Sequence, residues 1–321
     1  MRIKMPWTYL QIWITCCYLI SPIGFAQETK PIKLIVPFAP GGSNDIVGRA
    51  IAQQLSIKLK RSVIIDNKPG AGGSVGAEMV ARSEPDGSTL LLISASFAMN
   101  SSIMKLGYDP VKSFSPVAML GVGPSILVIN NNLPVQNIKE LIAYSKKNPN
   151  TTNFGTAGVG SFQHFAVELL LLKTQADISL VHYKGGGPAL VDTVAGHVQM
   201  SMGSLIQMQN FIKSGQIRAL AIAGNQRVSL FPNVPTLKES GIDVEAVNWW
   251  GVLAPAGTPN EFLDKLHQEL NQILTEQEIK NRFLGEGAEP MPMSRKEFEK
   301  YLSDESIKWA KVAKAAKIKA E

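Results

Sequence analysis

The chain has 321 residues, of which 45% are hydrophobic and 18% are charged, and its formal net charge is +6. This composition excludes a disordered chain, and the length predicts about two domains that need no disulfide or metal to fold. The charge does not predict nucleic-acid binding, because the sequence contains no basic stripe interleaved with aromatic residues.

The longest apolar stretch lies at the N-terminus. A basic start is followed by an apolar run over residues 10–20 and then by the small residues Gly24 and Ala26. This pattern predicts a secretory signal peptide over residues 1–26, and the alternative is an uncleaved membrane anchor. We therefore expect export to the periplasm.

Both cysteines, Cys16 and Cys17, fall within the predicted signal peptide. A lipoprotein cut before Cys17 is the alternative. Cleavage after residue 26 would leave a mature chain without cysteine, which excludes thiol catalysis, disulfides and cysteine–zinc sites. A cysteine-free exported chain suits a bacterial periplasm.

Short apolar strands alternate with helices along the rest of the chain. The predicted strands cover residues 32–36, 62–65, 89–94, 152–156, 178–183, 198–202 and 217–222. One predicted helix follows each of the first two strands. Further predicted helices cover residues 138–147, 161–173, 188–195, 205–213, 276–284 and 294–318, and another is expected to be capped by Thr258 and to start at Pro259. This alternation predicts an α/β fold with a largely parallel sheet.

Two long extended segments, residues 117–129 and 244–253, interrupt the alternation. We interpret them as crossovers between two α/β lobes, one formed by residues 27–122 and 249–321 and the other by residues 123–248. Trp249 and Trp250 are expected to pack at this hinge. A cleft between two lobes with a double hinge is typical of solute-binding receptors.

The first glycine-rich loop follows the first strand and opens a helix. Gly41 and Gly42 allow close backbone approach to a ligand, and Ser43 or Asn44 is expected to cap the helix. The N–H groups of such a helix start favour an anion, and Asp45 is expected to accept a hydrogen bond from the ligand or from a bridging water. The alternative is a tight turn with a helix cap.

A second loop over residues 155–161 also joins a strand to a helix. Thr156 and Ser161 offer hydroxyl donors beside backbone N–H groups, and His164 is expected either to orient the loop or to add a donor. A packing histidine is the alternative. Because each half of the chain carries one such loop, the two are expected to face each other across the cleft.

A third loop, residues 183–188, ends another strand. Tyr183 is expected to wall the cleft, Lys184 to add positive charge, and the glycines from Gly185 onward to free the backbone. The alternative for Lys184 is a solvated side chain.

Enzyme signatures are weak. Residues 72–76 match G-x-S-x-G, but a loop precedes Ser74 where a nucleophile elbow requires a strand. The sequence contains no H-E-x-x-H, no P-loop and no dinucleotide fingerprint after the first strand. We therefore expect no catalytic residue, no metal and no cofactor.

These loops belong to an ordered set of motifs. They read PFAPGGSND at residues 37–45, DNKPGAGG at 66–73, DG at 86–87, NFGTAGVGSFQH at 153–164, YKGGGPA at 183–189, FPNVPT at 231–236 and APAGTP at 254–259. In these motifs the chain resembles the extracytoplasmic solute receptors of the tripartite tricarboxylate transporter type, also called Bug receptors.

The resemblance implies a type II periplasmic binding protein fold whose first two loops grip a ligand carboxylate, partly through ordered water. The implied contacts are an aromatic wall at Phe38 and, around the carboxylate, Gly42, Ser43, Asn44, Asp45, Thr156, Ala157, Gly160, Ser161 and His164.

The sequence therefore predicts a monomeric periplasmic receptor that delivers a small organic carboxylate to the membrane subunits of such a transporter. A receptor for a signalling partner and a secreted serine hydrolase that uses Ser74 or Ser161 remain as alternatives.

Overall fold

The computed structural model describes residues 30–285 and 287–319, so the predicted signal peptide and both cysteines lie outside the described residues. The described strands are β1 (Ile32–Val36), β2 (Val63–Asn67), β3 (Thr89–Ser94), β4 (Phe114–Asn130), β5 (Asn153–Thr156), β6 (Ser179–His182), β7 (Met200–Ser204), β8 (Ile217–Ile222), β9 (Val247–Pro255) and β10 (Glu289–Pro290).

The described α-helices are α1 (Ser43–Leu59), α2 (Ser74–Ala81), α3 (Ala95–Asn100), α4 (Ile138–Lys147), α5 (Phe162–Thr174), α6 (Gly186–Ala195), α7 (Leu205–Lys213), α8 (Asn260–Thr275), α9 (Gln277–Gly285) and α10 (Arg295–Ala316). The predicted alternation of strands and helices is confirmed, and most predicted bounds differ from these by one or two residues. The glycine-rich starts of α1, α5 and α6 all follow strands.

Strand β4 joins two parts of the sheet. Its first part pairs with β9 and β10, and beyond β9 lie β3, β1 and β2; we call this sheet A. Its second part pairs with β7 and β8, and beyond β7 lie β5 and β6; we call this sheet B. The predicted extended segment at residues 117–129 is thus one strand that runs through both sheets.

Strand direction determines where the loops of the two sheets meet. Strands β1, β2 and β3 run parallel to one another, and β3 and β4 are both antiparallel to β9. Strands β5, β6 and β7 are parallel to one another but antiparallel to β4. The carboxyl ends of β1, β2 and β3 therefore point toward sheet B, and those of β5, β6 and β7 point toward sheet A.

The second crossing strand, β9, is anchored on both of its faces. Trp249 and Trp250 are neighbours in the strand, so their side chains point to opposite faces, and both are fully buried. Trp249 packs in the apolar cluster that contains Phe298 and Trp309 of α10, whereas Trp250 packs in the cluster that contains the helices α1 and α8. The predicted packing role of these tryptophans is confirmed.

A buried carboxylate connects β9 to the last helix. Glu305 Oε2 accepts hydrogen bonds from the indole N–H groups of Trp249 and Trp309, both at 2.9 Å. Lys308 Nζ lies 3.0 Å from Glu305 Oε1. The Trp309 ring also makes edge contacts with Phe162 and Phe165 of α5. Helix α10 therefore contacts both β9 of sheet A and α5, the helix that follows β5 of sheet B.

The predicted start of α8 is wrong by one position. Pro259 is the N-cap, with ψ near 132°, and the first helical residue is Asn260. The Thr258 hydroxyl does not cap this helix, because it donates to the carbonyl oxygen of Pro255 at 2.8 Å. The hydroxyl of Thr258, predicted to cap α8, therefore stabilises a local turn with Pro255 instead.

Substitution Glu305→Ala should leave two buried indole N–H groups without an acceptor. We expect the free energy of unfolding to fall by at least about 2 kcal/mol, because each unpaired buried donor costs about 1–3 kcal/mol. Urea denaturation measures this loss. The exposed Glu299→Ala on the same helix is the control and should stay within about 0.5 kcal/mol of the parent protein; an equal loss in both variants would contradict the role of Glu305.

Candidate functional site

The first loop of the site connects β1 to α1. The backbone of Gly42 is extended, and its carbonyl oxygen accepts the first helical hydrogen bond from Ile46 N at 3.1 Å. Gly42 is therefore the N-cap, and the predicted capping by Ser43 or Asn44 is wrong, because both residues already lie inside the helix. Since no side chain in the described chain caps α1, its first N–H groups can bind an anion at the N-terminal end of the helix.

The Asp45 carboxylate braces this loop. It accepts hydrogen bonds from Gly41 N at 3.1 Å, from Asn67 Nδ2 at 3.1 Å and from two nitrogens of Arg49 at 2.9 Å. Burial by itself raises the pKa of Asp45, but the hydrogen bonds from Arg49, Gly41 and Asn67 outweigh it and hold that pKa below its ordinary value. The positive charge of Arg49 also compensates the negative charge of the Asp45 carboxylate.

The second loop, between β5 and α5, is held by its own polar side chains. Ser161 is the N-cap of α5 and accepts from His164 N at 3.2 Å, while His164 Nδ1 accepts from Gly160 N at 3.2 Å. Thr156 Oγ1 accepts from Gly158 N at 3.2 Å and lies 2.7 Å from His182 Nδ1. His164 thus orients the second loop, which is one of the two roles predicted for it.

The third loop, residues 183–188, leads into α6 and contributes mainly main-chain groups to the site. The Tyr183 hydroxyl donates to Asp192 at 2.6 Å; burial and this acceptor raise the pKa of Tyr183 to about 12. The Lys184 side chain is exposed, and its carbonyl oxygen accepts from Ala39 N at 3.1 Å. Gly185 is the N-cap of α6, and its extended backbone carries no side-chain cap.

Loops from the two sheets meet at glycines. A Cβ atom added to Gly185 would lie 2.9 Å from Ala39 N, and one added to Gly187 would collide with the carbonyl oxygen of Pro40. A Cβ atom added to Gly72 would collide with the carbonyl oxygen of Val159. The opposed obstacles are backbone atoms, so any side chain at these positions would force the loops apart.

Ser94, the last residue of β3, and Ser96, in α3, complete a hydrogen-bonded path across the site. Ser94 Oγ accepts from Asn44 Nδ2 at 3.3 Å, and Ser96 Oγ accepts from Phe162 N, at the start of α5, at 2.9 Å. On the other side, Trp250 Nε1 donates to Asn44 Oδ1 at 3.2 Å. The buried crossing strand β9 therefore fixes the orientation of Asn44.

Asn248 occupies the crossing itself. Its Oδ1 accepts from Ala95 N at 3.3 Å, and its Nδ2 donates to Ser204 Oγ at 3.2 Å. Ala95 follows a strand of sheet A, and Ser204 ends a strand of sheet B. One amide side chain therefore connects the carboxyl ends of both sheets.

These elements line a cavity of about 20 Å³, enough for one small polar group. Its walls contain uncharged side chains and backbone: Phe38, Gly42, Ser43, Asn44, Ser94, Ser96, Ala157, Phe162, Gln163, Gly186 and Asn248. None of these described lining residues is titratable. The positive ends of α1, α5 and α6 all contribute to the lining.

A second cavity of about 10 Å³ adjoins the first and shares Phe38, Ser94 and Ser96 with it. Its remaining walls are mostly apolar: Pro37, Gly72, Gly73, Ala77, Leu91, Ile93, Phe97 and Asn100. Asn100 Nδ2 donates to the Gly72 carbonyl oxygen at 3.1 Å, while its buried Oδ1 has no partner among the described residues. The two cavities together offer a polar end and an apolar end.

The predicted site residues fall into two groups. Phe38, Gly42, Ser43, Asn44 and Ala157 line the first cavity. The lining does not include Gly41, Asp45, Thr156, Gly160, Ser161, His164, Tyr183, Lys184 or Gly185. Most of this second group shapes the loops through the hydrogen bonds described above, and ligand contact by any member of either group stays a prediction.

Sequence reasoning missed six residues of the first cavity: Ser94, Ser96, Phe162, Gln163, Gly186 and Asn248. A signal for the serines was present, because a strand β3 in the same parallel sheet as β1 must end at the same edge. Phe162 and Gln163 follow the predicted cap Ser161 directly. The crossing residue Asn248 carried no comparable signal.

Other chemistry finds little support in the described part of the chain. No group of three metal-ligating side chains is present among residues 30–285 and 287–319. A 3₁₀ turn over Ala71–Gly73 separates β2 from Ser74, so the G-x-S-x-G match is not a strand–nucleophile–helix elbow. Within the same residues, no helix has both the length and the apolar character of a membrane span.

Comparison with known proteins gives a consistent set of relatives. The sequence profile of the tripartite tricarboxylate transporter family receptor matches residues 47–318. Protein BugT of Bordetella pertussis is 35% identical over 315 residues, which cover 96% of this chain and 97% of the relative.

Solved structures agree with this result. The periplasmic binding protein BugD is 32% identical, with a TM-score of 0.88 over 91% of this chain and 99% of that protein. R. palustris Rpa4515 with adipate is 31% identical, also with a TM-score of 0.88 over 91% and 99% of the two chains. The predicted periplasmic binding protein fold is thereby confirmed.

The variant Asp45→Asn should lose stability in a pH-dependent way. The folded-state pKa of Asp45 lies below its ordinary value of 3.8, so its carboxylate stabilises the folded state at neutral pH. This contribution is lost as the pH falls below about 4 and through the lower folded-state pKa. We therefore expect the difference in unfolding free energy between parent and variant to be largest at neutral pH and to shrink in acid.

Denaturant unfolding at several pH values measures this difference. Asp243→Asn is the control, because the Asp243 side chain is 90% exposed and lies 3.9 Å from Lys173. A difference for Asp45→Asn that is the same at neutral and acidic pH would show that the carboxylate charge does not stabilise the loop.

Proposed function

Because this chain belongs to the receptor family of the tripartite tricarboxylate transporters, we propose that it binds a small organic carboxylate in the cavity between sheets A and B and delivers it to the membrane subunits of such a transporter. Members of this family are periplasmic solute-binding receptors. Export through a signal peptide over residues 1–26 is part of the proposal.

One observation carries the choice of a carboxylate: three helices begin at the walls of one uncharged cavity. Gly42 and Ser43 at the start of α1, Phe162 and Gln163 at the start of α5, and Gly186 at the start of α6 line it. Each helix start presents a partial positive charge and N–H donors, so the three together favour an anion without a cationic side chain. The adipate in the Rpa4515 structure is consistent with this choice.

The roles of the predicted residues follow from their positions. We propose that Gly42, Ser43, Asn44 and Ala157 contact the carboxylate directly or through ordered water, and that Phe38 packs against the body of the ligand. Asp45 and the polar residues of the second loop hold the loops in place. The exposed Lys184 side chain is not part of the cavity lining, so its proposed role is limited to added positive charge.

Release and capture require the two halves to move apart, because the closed cavity has no room for a larger acid. We propose that residues 27–122 with 249–321 form one lobe and residues 123–248 the other, with hinges in β4 and at the start of β9. Pro124 is paired with Val247 at this crossing. The ligand would favour the closed arrangement by contacting both lobes at once.

A thermal-shift screen of the purified protein tests the carboxylate assignment. Mono-, di- and tricarboxylates and acidic amino acids are each compared with the corresponding primary amide. A bound acid at about a hundredfold its Kd should add about 2.7 kcal/mol to the free energy of unfolding, which raises Tm by roughly 5 °C.

The amides are the control, since they keep the shape of each ligand and remove its charge. Stabilisation by one class of acid and not by its amide is the expected result. Equal stabilisation by acid and amide, or none by any acid in a preparation that native mass spectrometry shows to be ligand-free, would contradict the proposal.

If ligand binding requires the two lobes to close, the substitution Gly187→Ala should weaken binding strongly. The added methyl group would collide with the backbone carbonyl oxygen of Pro40, so the loops could not reach their closed separation. We expect at least about a tenfold loss of affinity for the acid that gives the largest thermal shift, since only about 1.4 kcal/mol of strain in the closed form suffices. Titration calorimetry measures it.

Val191→Ala is the matched control, because Val191 lies on the same helix and is 61% exposed. It should bind the acid as the parent protein does. A Gly187→Ala protein with unchanged affinity would show that contact between these loops is not needed for binding.

A further inference from the structure

We propose that Phe97 forms the end wall of the ligand cavity and so limits the length of the acid that this receptor accepts. The inference rests on the proposed binding of a carboxylate between the sheets. It concerns the end of the ligand that lies opposite its carboxylate. The first cavity holds only the carboxylate, at the starts of α1, α5 and α6.

The second cavity indicates the direction in which a ligand extends. It shares Phe38, Ser94 and Ser96 with the first cavity, and its other walls include the apolar side chains of Leu91, Ile93 and Phe97 beside the polar Asn100. A ligand whose carboxylate lies at the helix starts would therefore place its apolar end toward Phe97. Burial of that end among apolar walls is favourable.

Phe97 also contacts a much larger space outside the cavity. A surface groove of about 600 Å³ lies between the turn at Val111 and helix α10, and Phe97 and Phe114 contribute to its walls. Phe97 belongs to the linings of both the small second cavity and this groove. Its side chain therefore lies between a space of about 10 Å³ and one of about 600 Å³.

The aromatic ring is held firmly in this position. Phe97 is 7% exposed, stacks on Tyr108 with ring centroids 6.1 Å apart, and meets Phe114 edge-on at 5.3 Å. Tyr108 and Phe114 also meet edge-on at 5.4 Å. Moving the Phe97 ring would disrupt two of these three contacts, so the wall does not yield readily to a longer ligand.

Removal of the ring should join the cavity to the groove. In Phe97→Ala, an acid too long for the parent protein could pass its end into the groove and bury further methylene groups there. Each buried methylene contributes about 0.8 kcal/mol, which corresponds to about a fourfold gain in affinity. The length profile of binding, and not affinity for one acid, is therefore the informative measurement.

The experiment measures Kd by titration calorimetry for propanoate, butanoate, hexanoate and octanoate. For the parent protein we expect affinity to rise with length and then to fall at least about tenfold at the first acid that reaches the wall. For Phe97→Ala we expect affinity to keep rising through octanoate by about fourfold per methylene. Phe97→Leu serves in the same way if the alanine variant does not fold, as judged by circular dichroism.

Val111→Ala is the matched control, because Val111 lines the groove, is 72% exposed and belongs to neither cavity lining. It should keep the length limit of the parent protein. A folded Phe97 variant with the parent limit, or a Val111→Ala limit shifted as far as that of Phe97→Ala, would overturn the inference.

The parent protein provides a test that depends on no variant. If it binds octanoate as tightly as its best shorter acid, there is no end wall and the inference is wrong, while the proposed carboxylate binding stands. If it binds none of the acids, and none of those in the thermal-shift screen, then the proposed function fails and the inference fails with it.

Discussion

The opposed directions of the strands in the two sheets determine everything else about the site. Since β4 runs through both sheets and β5–β7 oppose it, the carboxyl ends of β1 and β3 face those of β5 and β7. Helices that follow these strands must begin where the sheets face each other. An electropositive, uncharged cavity is therefore a consequence of topology, and side chains only refine it.

Hydrogen bonds within the loops hold the loops that meet at the cavity in place. Their polar side chains are used internally: Asp45 binds Arg49, Ser161 and His164 bond within the second loop, and Tyr183 bonds to Asp192. What remains to face a ligand is backbone, small residues and amides. Preorganised donors of this kind bind an anion without the reorganisation that a flexible lysine would need.

Much of the fold could be predicted from the sequence, because apolar periodicity and glycine-rich turns reflect local physics. Helices α4 and α7 and strands β1, β3 and β8 have their predicted bounds in the structure. The site was predicted less completely. Ser94 and Asn248 belong to it only because distant strands pair as they do, and no local pattern encodes that pairing. The ion pair of Asp45 with Arg49, one helical turn later, was not predicted, although both residues lie on one helix.

The absence of titratable side chains from the described walls of both cavities has a consequence for the conditions under which the protein works. Helix dipoles and amides keep the same charge distribution at every pH, and a buried dipole is only weakly screened by salt. Above the ligand's own pKa, affinity should then vary little with acidity or ionic strength. A receptor outside the cytoplasmic membrane meets whatever the surrounding medium brings, and the occupancy of this site would follow the concentration of its solute alone.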